Sequence, residues 1–476
     1  MKIINPSQVL LLVSLGRAAL SKSCPDYLSY SQQRHPPLSS GRYALPYQRP
    51  APECRTFNST DVEDTIRDLS SAISDPDLYR LFQNSFPNTL DTAIRWHGVA
   101  ANNSKEELTF IITGDINAMW LRDSANQLQS YLPMLKPNTS TNSIASLYRG
   151  VINLQARYLL TSPYCNSFQP PVESGIPPST NDASNTDTVF PPYSPTSVFE
   201  CKYELDSLAA FLQISASYYS ATHDKTFFSS FQWVPAIRTI LATAKAMMTP
   251  TYGPDGQVLA SPYTFARKTT RSTETLANDG LGSPVARDTG LIRSAFRPSD
   301  DSTLLQLFIP ANMMFAHYLV PTATILSAIG EPSLASELTN LSSTLHTAIT
   351  KHAIIPVPKL HPTTETETET ETIYAYEVDG FGSTIIMDDA NIPSLLSAPL
   401  IGYLDADDPV YQRTRARILD DSGANNSPNG NPYFMRGPVI NAVGGPHTHP
   451  CYSQSPSAPY KSHHHHQRLV SARYSP

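Results

Sequence analysis

The spacing of apolar residues along the chain predicts a protein built mainly from helices. Segments 140–160, 205–220 and 236–248 carry apolar residues at the three- and four-residue intervals of a helix face. Thr60-Asp61-Val62-Glu63 fits a capping box at the start of a helix that continues through Ile66 and Leu69. A further helix, starting near Ser333, has one apolar face formed by Leu334, Leu338, Leu341, Leu345 and Ile349.

Alternating strand patterns are few, so we expect an all-α fold whose chemistry lies on the loops between helices. Two segments lack apolar periodicity. Residues 169–196 are rich in Pro, Ser, Asn and Thr and are expected to form a surface loop insertion. Residues 363–372 alternate Thr and Glu, which predicts a solvated, disordered insertion near 361–372.

The N-terminus has the pattern of a signal peptide over residues 1–21. Lys2 precedes a short apolar run from Val9 to Leu15, and Ala18, Ala19 and Ser21 offer a cleavage site. The run is shorter than the roughly 20 apolar residues that span a bilayer, and no later segment reaches that length. A buried N-terminal helix is the alternative, but the pattern favours a secreted, extracellular protein without a membrane anchor.

Other features agree with an oxidising compartment. The N-x-S/T sequons begin at Asn58, Asn102, Asn138, Asn340 and Asn425. Five cysteines permit disulfides, and we expect Cys24 to pair with Cys54 and Cys165 with Cys201. The net charge of −7 provides no basic surface for nucleic acid.

The last 26 residues, 451–476, differ in character from the rest of the chain and show no helical stripe. His463–His466 resemble a metal-binding tract. No partner ligands are spaced nearby as metal sites require, so a shifted reading frame that produces an atypical, disordered tail is the favoured interpretation.

Candidate chemistry is concentrated in acidic and aromatic clusters. None of the Walker, Rossmann, G-x-S-x-G or H-E-x-x-H patterns occurs. Instead, charged residues stand beside apolar segments at four places: Asp115 to Asp123 with Trp120 and Arg122, Glu204 with Asp206, Arg297 with Asp300 and Asp301, and Glu377 to Asp389. Any single cluster could be a helix cap or a solvated ion pair. Together, the four favour a shared polar cleft.

This residue set suits carbohydrate chemistry. Carboxylates accept hydrogen bonds from sugar hydroxyls, aromatic faces stack on sugar rings, and a pair of carboxylic acids cleaves a glycosidic bond. Asp300 and Asp301 are adjacent, and crowding by one carboxylate would keep the other protonated. Arg297 is expected to hold the second member ionised. Calcium is a rival interpretation of so many carboxylates, although no EF-hand spacing is present.

These same segments resemble glycoside hydrolase family 125, a family of exo-acting α-1,6-mannosidases. The resemblance runs in consistent order from about Thr56 to His447, through DINAMWLRDSANQL, YELDSL, FRPSDDS, FIPANMMF, YAYEVDGFGSTIIMDDANIPSLL and VGGPHT. It implies an (α/α)6 barrel over residues 22–450, hydrolysis with inversion, no metal or other cofactor, and α-1,6-linked mannose glycans as substrates of a monomer.

The resemblance also implies roles for individual residues. The general acid is one of Asp300 and Asp301, with a narrow preference for Asp301. The mannose subsite is expected to be lined by Asp115, Trp120, Arg122, Asp123, Glu204, Asp206, Arg297 and Asp389, with His447 at its rim.

The chain departs from the family pattern at three places. Asn117 stands where the family usually has proline, and Tyr203 where it usually has tryptophan. The resemblance also implies a glutamate base downstream of the GPHT motif, whereas this sequence has no glutamate after Glu377. The barrel is therefore expected to be incomplete at its C-terminal end. The alternative function is a catalytically impaired, mannose-binding remnant without a general base.

Overall fold

The computed structural model describes residues 24–359, 369–389 and 391–419, together with the backbone of 434–436 and 441–443. The expected signal peptide, Asn425, His447 and the 451–476 tail lie outside the described residues. Those expectations remain predictions.

Helices form the larger part of the regular structure. In chain order they are α1 Tyr27–Ser31, α2 Thr60–Leu69, α3 Pro76–Ser85, α4 Leu121–Gln129, α5 Ile144–Thr161, α6 Leu205–Thr222, α7 Lys225–Ser230, α8 Trp233–Ala246, α9 Ile309–Ala328, α10 Pro332–Ala353 and α11 Pro409–Leu419. All the helices predicted from apolar spacing are present. The capping box is not, because Thr60 is already helical and the carboxylate of Glu63 contacts Arg49 and Arg55 instead.

The core lies where the long helices pack side by side. Helix α9 packs against α10 and α6, and α6 packs against α4 and α5. Nearly every residue in the first half of α9 is buried, which explains why its sequence is apolar on all sides and shows no helical stripe. In α10, by contrast, the predicted Leu334–Ile349 stripe is the buried face.

Strands complete the fold. They are β1 Ile94–Ala100, β2 Asn103–Ile111, β3 Met119–Trp120, β4 Ser167–Phe168, β5 Asp187–Phe190, β6 Val198–Glu200, β7 Thr264–Arg267, β8 Leu307–Phe308, β9 Ile354–Pro358, β10 Thr370–Tyr374, β11 Glu377–Val378, β12 Thr384–Ile385, β13 Phe434–Arg436 and β14 Asn441–Val443. The antiparallel β1–β2 hairpin packs on α5, so six consecutive residues of β2 are buried and no alternation is visible in its sequence. The expectation of a helix-rich fold is confirmed, and short two- and three-stranded sheets accompany the helices in the described residues.

Two short three-stranded sheets matter for the site. One has the order β3-β4-β6 and the other β12-β11-β8. The chain enters α4 directly from β3 and α9 directly from β8, and it enters α6 four residues after β6. The sheets therefore hold the starts of the three helices whose first turns carry or adjoin the acidic clusters. Closure of the helices into a complete six-pair barrel stays a prediction.

The two low-complexity segments are more ordered than expected. In the 169–196 segment, β5 pairs with β7, and Asp187 accepts two hydrogen bonds from Arg267 at 2.7 and 2.8 Å. In the Thr/Glu segment, residues 370–372 belong to β10, which pairs with β9, so this part is not disordered. Residues 361–368 lie outside the described part of the chain.

Both expected disulfides are present. Cys24 is bonded to Cys54, and Cys165 to Cys201. The second bond joins Cys165, two positions before β4, to the segment between β6 and α6, next to the acidic cluster of Glu204 and Asp206. Among the described residues, no helix combines the length and apolar character needed to cross a bilayer.

Candidate active site

The first two acidic clusters meet around Arg122. This arginine and Asp123 lie in the first turn of α4, while Glu204 precedes α6 and Asp206 lies in its first turn. Because α4 packs against α6, the two helix starts come together. Arg122 donates to Asp123 Oδ1 at 2.7 Å, to Asp206 Oδ2 at 3.2 Å and to Glu204 Oε2 at 3.4 Å. One buried cation thus contacts three carboxylates.

The protonation of this cluster is set by its burial. Glu204 and Asp206 are almost fully buried, which disfavours their charged forms. Burial raises the pKa of Glu204 well above its usual range, although the charge of Arg122 opposes this. Burial likewise raises the pKa of Asp206 to about 6, again against the charge of Arg122. Such perturbed carboxyl groups on a helix start are typical of functional sites.

Asn166 connects the disulfide to this cluster. It follows Cys165, donates from Nδ2 to Glu204 Oε1 at 3.1 Å, and accepts the backbone N–H of Lys202 at 3.1 Å on Oδ1. Ser207 Oγ donates to the other oxygen of Glu204 at 3.0 Å. Glu204 is thus fixed on both oxygens. Sequence reasoning missed Asn166, whose only signal is its position beside a predicted disulfide cysteine.

The RPSDD segment forms a tight turn. The backbone N–H of Arg297 donates to Asp301 O at 2.8 Å, and the N–H of Asp300 donates to Arg297 O at 3.0 Å. Asp300 has a left-handed backbone with φ of +67°. The turn separates its two carboxyl groups into different environments, although they are adjacent in sequence.

Asp300 and Asp301 differ in their access to solvent. The side chain of Asp301 is fully buried and accepts a hydrogen bond from Thr273 Oγ1 at 2.8 Å. The side chain of Asp300 is 18% exposed. Its Oδ1 lies 4.0 Å from Nζ of Lys202, and its charge raises the pKa of Glu204, so it lies near the first two clusters. A proton donor must reach the substrate, and Asp300 is the member of the pair with that access.

Arg297 has a different partner from the one expected. Its Nε donates to Glu377 Oε1 at 2.8 Å, and its guanidinium lies 5.8 Å from the centre of the Tyr376 ring. The carboxylate to which Arg297 Nε donates is therefore Glu377 on β11, and the charge of Asp301 also acts on this arginine. Burial raises the pKa of Glu377, and Arg297 opposes that shift.

The fourth cluster is mainly structural. Asp379 accepts the backbone N–H groups of Phe381, Gly382 and Ser383 at 2.8–3.1 Å and closes a turn. Asp388 accepts those of Leu395 and Leu396 at 2.7 and 2.9 Å. Capping of backbone groups accounts for both carboxylates.

Asp389, Asp115 and Trp120 are the remaining described residues of the predicted subsite. Asp389 is almost fully buried and accepts a hydrogen bond from the Tyr376 hydroxyl at 3.3 Å, so Tyr376 links it to Arg297. Asp115 and Trp120 are partly exposed. The Trp120 ring lies edge-on to Phe199, with the ring centres 5.6 Å apart. The aromatic surface expected for a sugar site is thus present beside Arg122.

No group of three His, Cys, Asp or Glu side chains within the described ranges is arranged to hold a metal ion. The charges of the carboxylate cluster at Arg122 are instead compensated by that arginine.

Comparison with known proteins gives a family match over most of the chain. Residues 75–457 match the family model described as metal-independent alpha-mannosidase (GH125). The chain is 46% identical over 427 residues to the Meiotically up-regulated gene 157 protein of Schizosaccharomyces pombe, an alignment that covers 90% of this chain and 79% of that protein.

A solved structure is similar over most of the chain. It is that of a metal-independent α-mannosidase from Streptococcus pneumoniae, in a non-productive complex with α-1,6-mannobiose. The match has a TM-score of 0.65, 32% identity and 82% coverage of each chain. Since the family model spans most of the sequence and the S. pneumoniae structure is that of a metal-independent α-mannosidase, the chain belongs to glycoside hydrolase family 125, the metal-independent α-mannosidases.

Proposed function

We propose that this protein is a secreted, exo-acting α-1,6-mannosidase that removes terminal mannose from α-1,6-linked glycans with inversion. The observation that carries the proposal is the carboxylate cluster around Arg122, with the partly exposed Asp300 facing it. The α-1,6-mannobiose bound by the S. pneumoniae relative supports the choice of linkage.

The described residues divide the chemistry between recognition and proton transfer. Asp123, whose side chain is 23% exposed, supplies an acceptor for a hydroxyl group of the terminal mannose, and the buried Glu204 and Asp206 hold Arg122 in place beside it. Trp120 supplies an apolar ring surface beside them. Asp300 is the proposed general acid, which protonates the leaving glycosidic oxygen. Asp301 stabilises the turn by accepting a hydrogen bond from Thr273.

Inversion also requires a base. A second carboxylate about 6.5–9.5 Å from the acid would activate water on the opposite face of the sugar. The sequence contains no glutamate after Glu377, the part of the chain in which the family resemblance implies the base. For this reason a mannose-binding protein with impaired catalysis is the second candidate function.

One pair of assays separates the two candidates. The purified protein is incubated with α-1,2-, α-1,3- and α-1,6-mannobiose, and released mannose is measured; binding of α-1,6-mannobiose is measured separately by calorimetry. Preferential release from the α-1,6 isomer supports the enzyme. Binding without release supports the impaired protein. Absence of both contradicts the proposal for this site.

Secretion is proposed on the sequence pattern of residues 1–21. The two disulfides agree with an oxidising compartment, where such bonds persist. N-terminal sequencing of protein recovered from the culture medium tests this part. A mature chain beginning close to residue 22 is expected, whereas retention of Met1 in cell-associated protein would count against it.

A further inference from the structure

A buried lysine lies between the first two acidic clusters and the RPSDD turn. Residues 198–204 run extended through β6 toward α6, so alternate side chains point to the same side. Cys201 and Tyr203 face one way, into the disulfide and a group of tyrosine rings. Lys202 lies between Glu200 and Glu204 on the other side, toward the site.

The ammonium group of Lys202 contacts the turn that carries the proposed acid. Its Nζ donates to the backbone carbonyl oxygen of Asp300 at 3.1 Å and lies 4.0 Å from Asp300 Oδ1. It also lies 5.3 Å from the centre of the Phe296 ring, at the base of the same turn. Only 4% of Lys202 is exposed, so its position is determined by these contacts.

A series of ion pairs, through Glu200 and Arg267, stabilises the position of Lys202. Glu200 Oε2 lies 3.6 Å from its Nζ, and Glu200 Oε1 accepts from Arg267 Nη2 at 2.8 Å. Arg267 is in turn bonded to Asp187 on β5. Glu200 and Asp187 thus offset the charges of Lys202 and Arg267, and the 169–196 segment becomes part of the support for the site.

The backbone of Asp300 needs such support. Residues with a side chain are disfavoured in a left-handed conformation, and they persist in it where their surroundings hold them. The Asp300 carbonyl group is oriented by the same φ and ψ angles that orient its carboxyl group. A charged donor on that carbonyl therefore holds the backbone from which the Cα–Cβ bond of Asp300 projects.

We propose that Lys202 is a positioning residue, which holds the Asp300 turn in the conformation that directs the Asp300 carboxyl group at the sugar site. This inference rests on the proposed function for its effect on turnover, but the contact itself is testable without turnover. Burial would lower the pKa of Lys202, and the charges of Glu200 and Asp300 raise it, so the ammonium form is maintained.

The test compares Lys202→Met with the wild-type protein. Hydrogen–deuterium exchange of the backbone amides in residues 297–303 is measured first. We expect exchange there to become at least about tenfold faster, as for a segment whose local opening costs less. Peptides from α9 and α10 should be unchanged. Lys245→Met, which removes an exposed lysine paired with Glu337, is the matched control and should leave 297–303 unchanged.

Turnover gives the second measurement. With α-1,6-mannobiose, Lys202→Met should lower kcat by about 10²-fold, because a carboxyl group displaced by about 1 Å loses that much, while the dissociation constant of the sugar changes little. A purely structural role would instead weaken binding and kcat together. If Lys202→Met does not fold, Lys202→Gln replaces it, with the same outcomes expected.

The exchange measurement and the turnover measurement test different parts of the inference. Unchanged exchange in 297–303 in a folded Lys202 variant overturns the positioning role, whatever the activity. No turnover by the wild-type protein contradicts the proposed hydrolase function, yet the exchange measurement still decides the role of Lys202. Faster exchange with an unchanged kcat would overturn the inference that this contact directs the carboxyl group.

Discussion

Arg297 donates a hydrogen bond from Nε to Oε1 of Glu377 at 2.8 Å, across 80 positions of sequence. Both side chains are at most 2% exposed. The second oxygen of Glu377 accepts the backbone N–H groups of Leu304 and Leu305 at 2.9 and 2.8 Å. This pair joins the RPSDD turn to β11 and so anchors the turn in addition to Lys202.

Breaking this pair should strongly destabilise the protein. Glu377→Gln leaves the Arg297 guanidinium buried without a counter-charge, and removing one partner of a buried pair typically costs about 3–5 kcal/mol. The free energy of unfolding from denaturant titration measures the effect. Glu331→Gln is the control, since Glu331 pairs with Arg238 at 2.7 Å on the surface, and such pairs contribute about 0–1 kcal/mol. Similar losses in both variants would contradict the account.

The identity of the acid is decided by two substitutions. Asp300→Asn should lower kcat on α-1,6-mannobiose by about 10²–10⁴-fold, the usual contribution of proton transfer, and leave sugar binding in place. Asp301→Asn should retain most activity, because the buried amide oxygen can still accept from Thr273. The reverse pattern would make Asp301 the acid, the assignment that sequence resemblance narrowly prefers.

The contrast between Asp300 and Asp301 shows which features of the site can be predicted from sequence patterns and which cannot. Arg122 with Asp123, and Glu204 with Asp206, were predictable as site residues because each pair stands at the start of a helix within a short motif. Asp300 is partly exposed and Asp301 is buried because the turn contains a left-handed residue. The spacing of apolar residues does not predict such a turn. The partner of Arg297 was not predictable either, since it lies on a distant strand.

The elements of the fold also differ in how well the sequence predicts them. Amphipathic helices such as α10 were predictable because one face is apolar, whereas α9 is buried on nearly all sides and has no stripe. The β1–β2 hairpin was missed because α5 covers one strand and removes its alternation. Lys202 was missed because a single lysine in an extended segment has no distinctive signal before its neighbours are known.

Stability should depend on pH through Asp388. Burial raises its pKa to about 7 from an ordinary value of 3.8. The folded protein binds this proton more tightly than the unfolded chain does. The contribution of Asp388 to the free energy of unfolding is therefore full below about pH 4 and is lost as the pH rises to about 7. The total change is up to about 4 kcal/mol.

The comparison with Asp388→Asn isolates that contribution, because asparagine does not titrate. Unfolding free energies of both proteins are measured between pH 4 and 8. The wild-type protein should lose stability relative to the variant as the pH rises through this range, and the difference should level off above about pH 7. A wild-type stability that stays constant or increases relative to the variant as the pH rises would contradict the raised pKa of Asp388.

Removing the Cys165–Cys201 disulfide should weaken sugar binding as well as lower the stability of the fold. The bond closes a loop of 36 residues and lies next to Asn166 and Lys202. Replacing both cysteines by alanine should cost about 2–5 kcal/mol of unfolding free energy and weaken binding of α-1,6-mannobiose. Replacing Cys24 and Cys54, which lie away from Glu204, should reduce stability without changing sugar affinity. Equal effects on affinity would contradict this link.

The most direct test of the central claim is proton NMR of the first mannose released from α-1,6-mannobiose. If the site around Arg122 and Asp300 hydrolyses the bond by single displacement, β-mannose appears first and then equilibrates with the α form. Initial release of α-mannose, or no release by a protein that binds the sugar, would contradict the account of this chain as an inverting α-1,6-mannosidase.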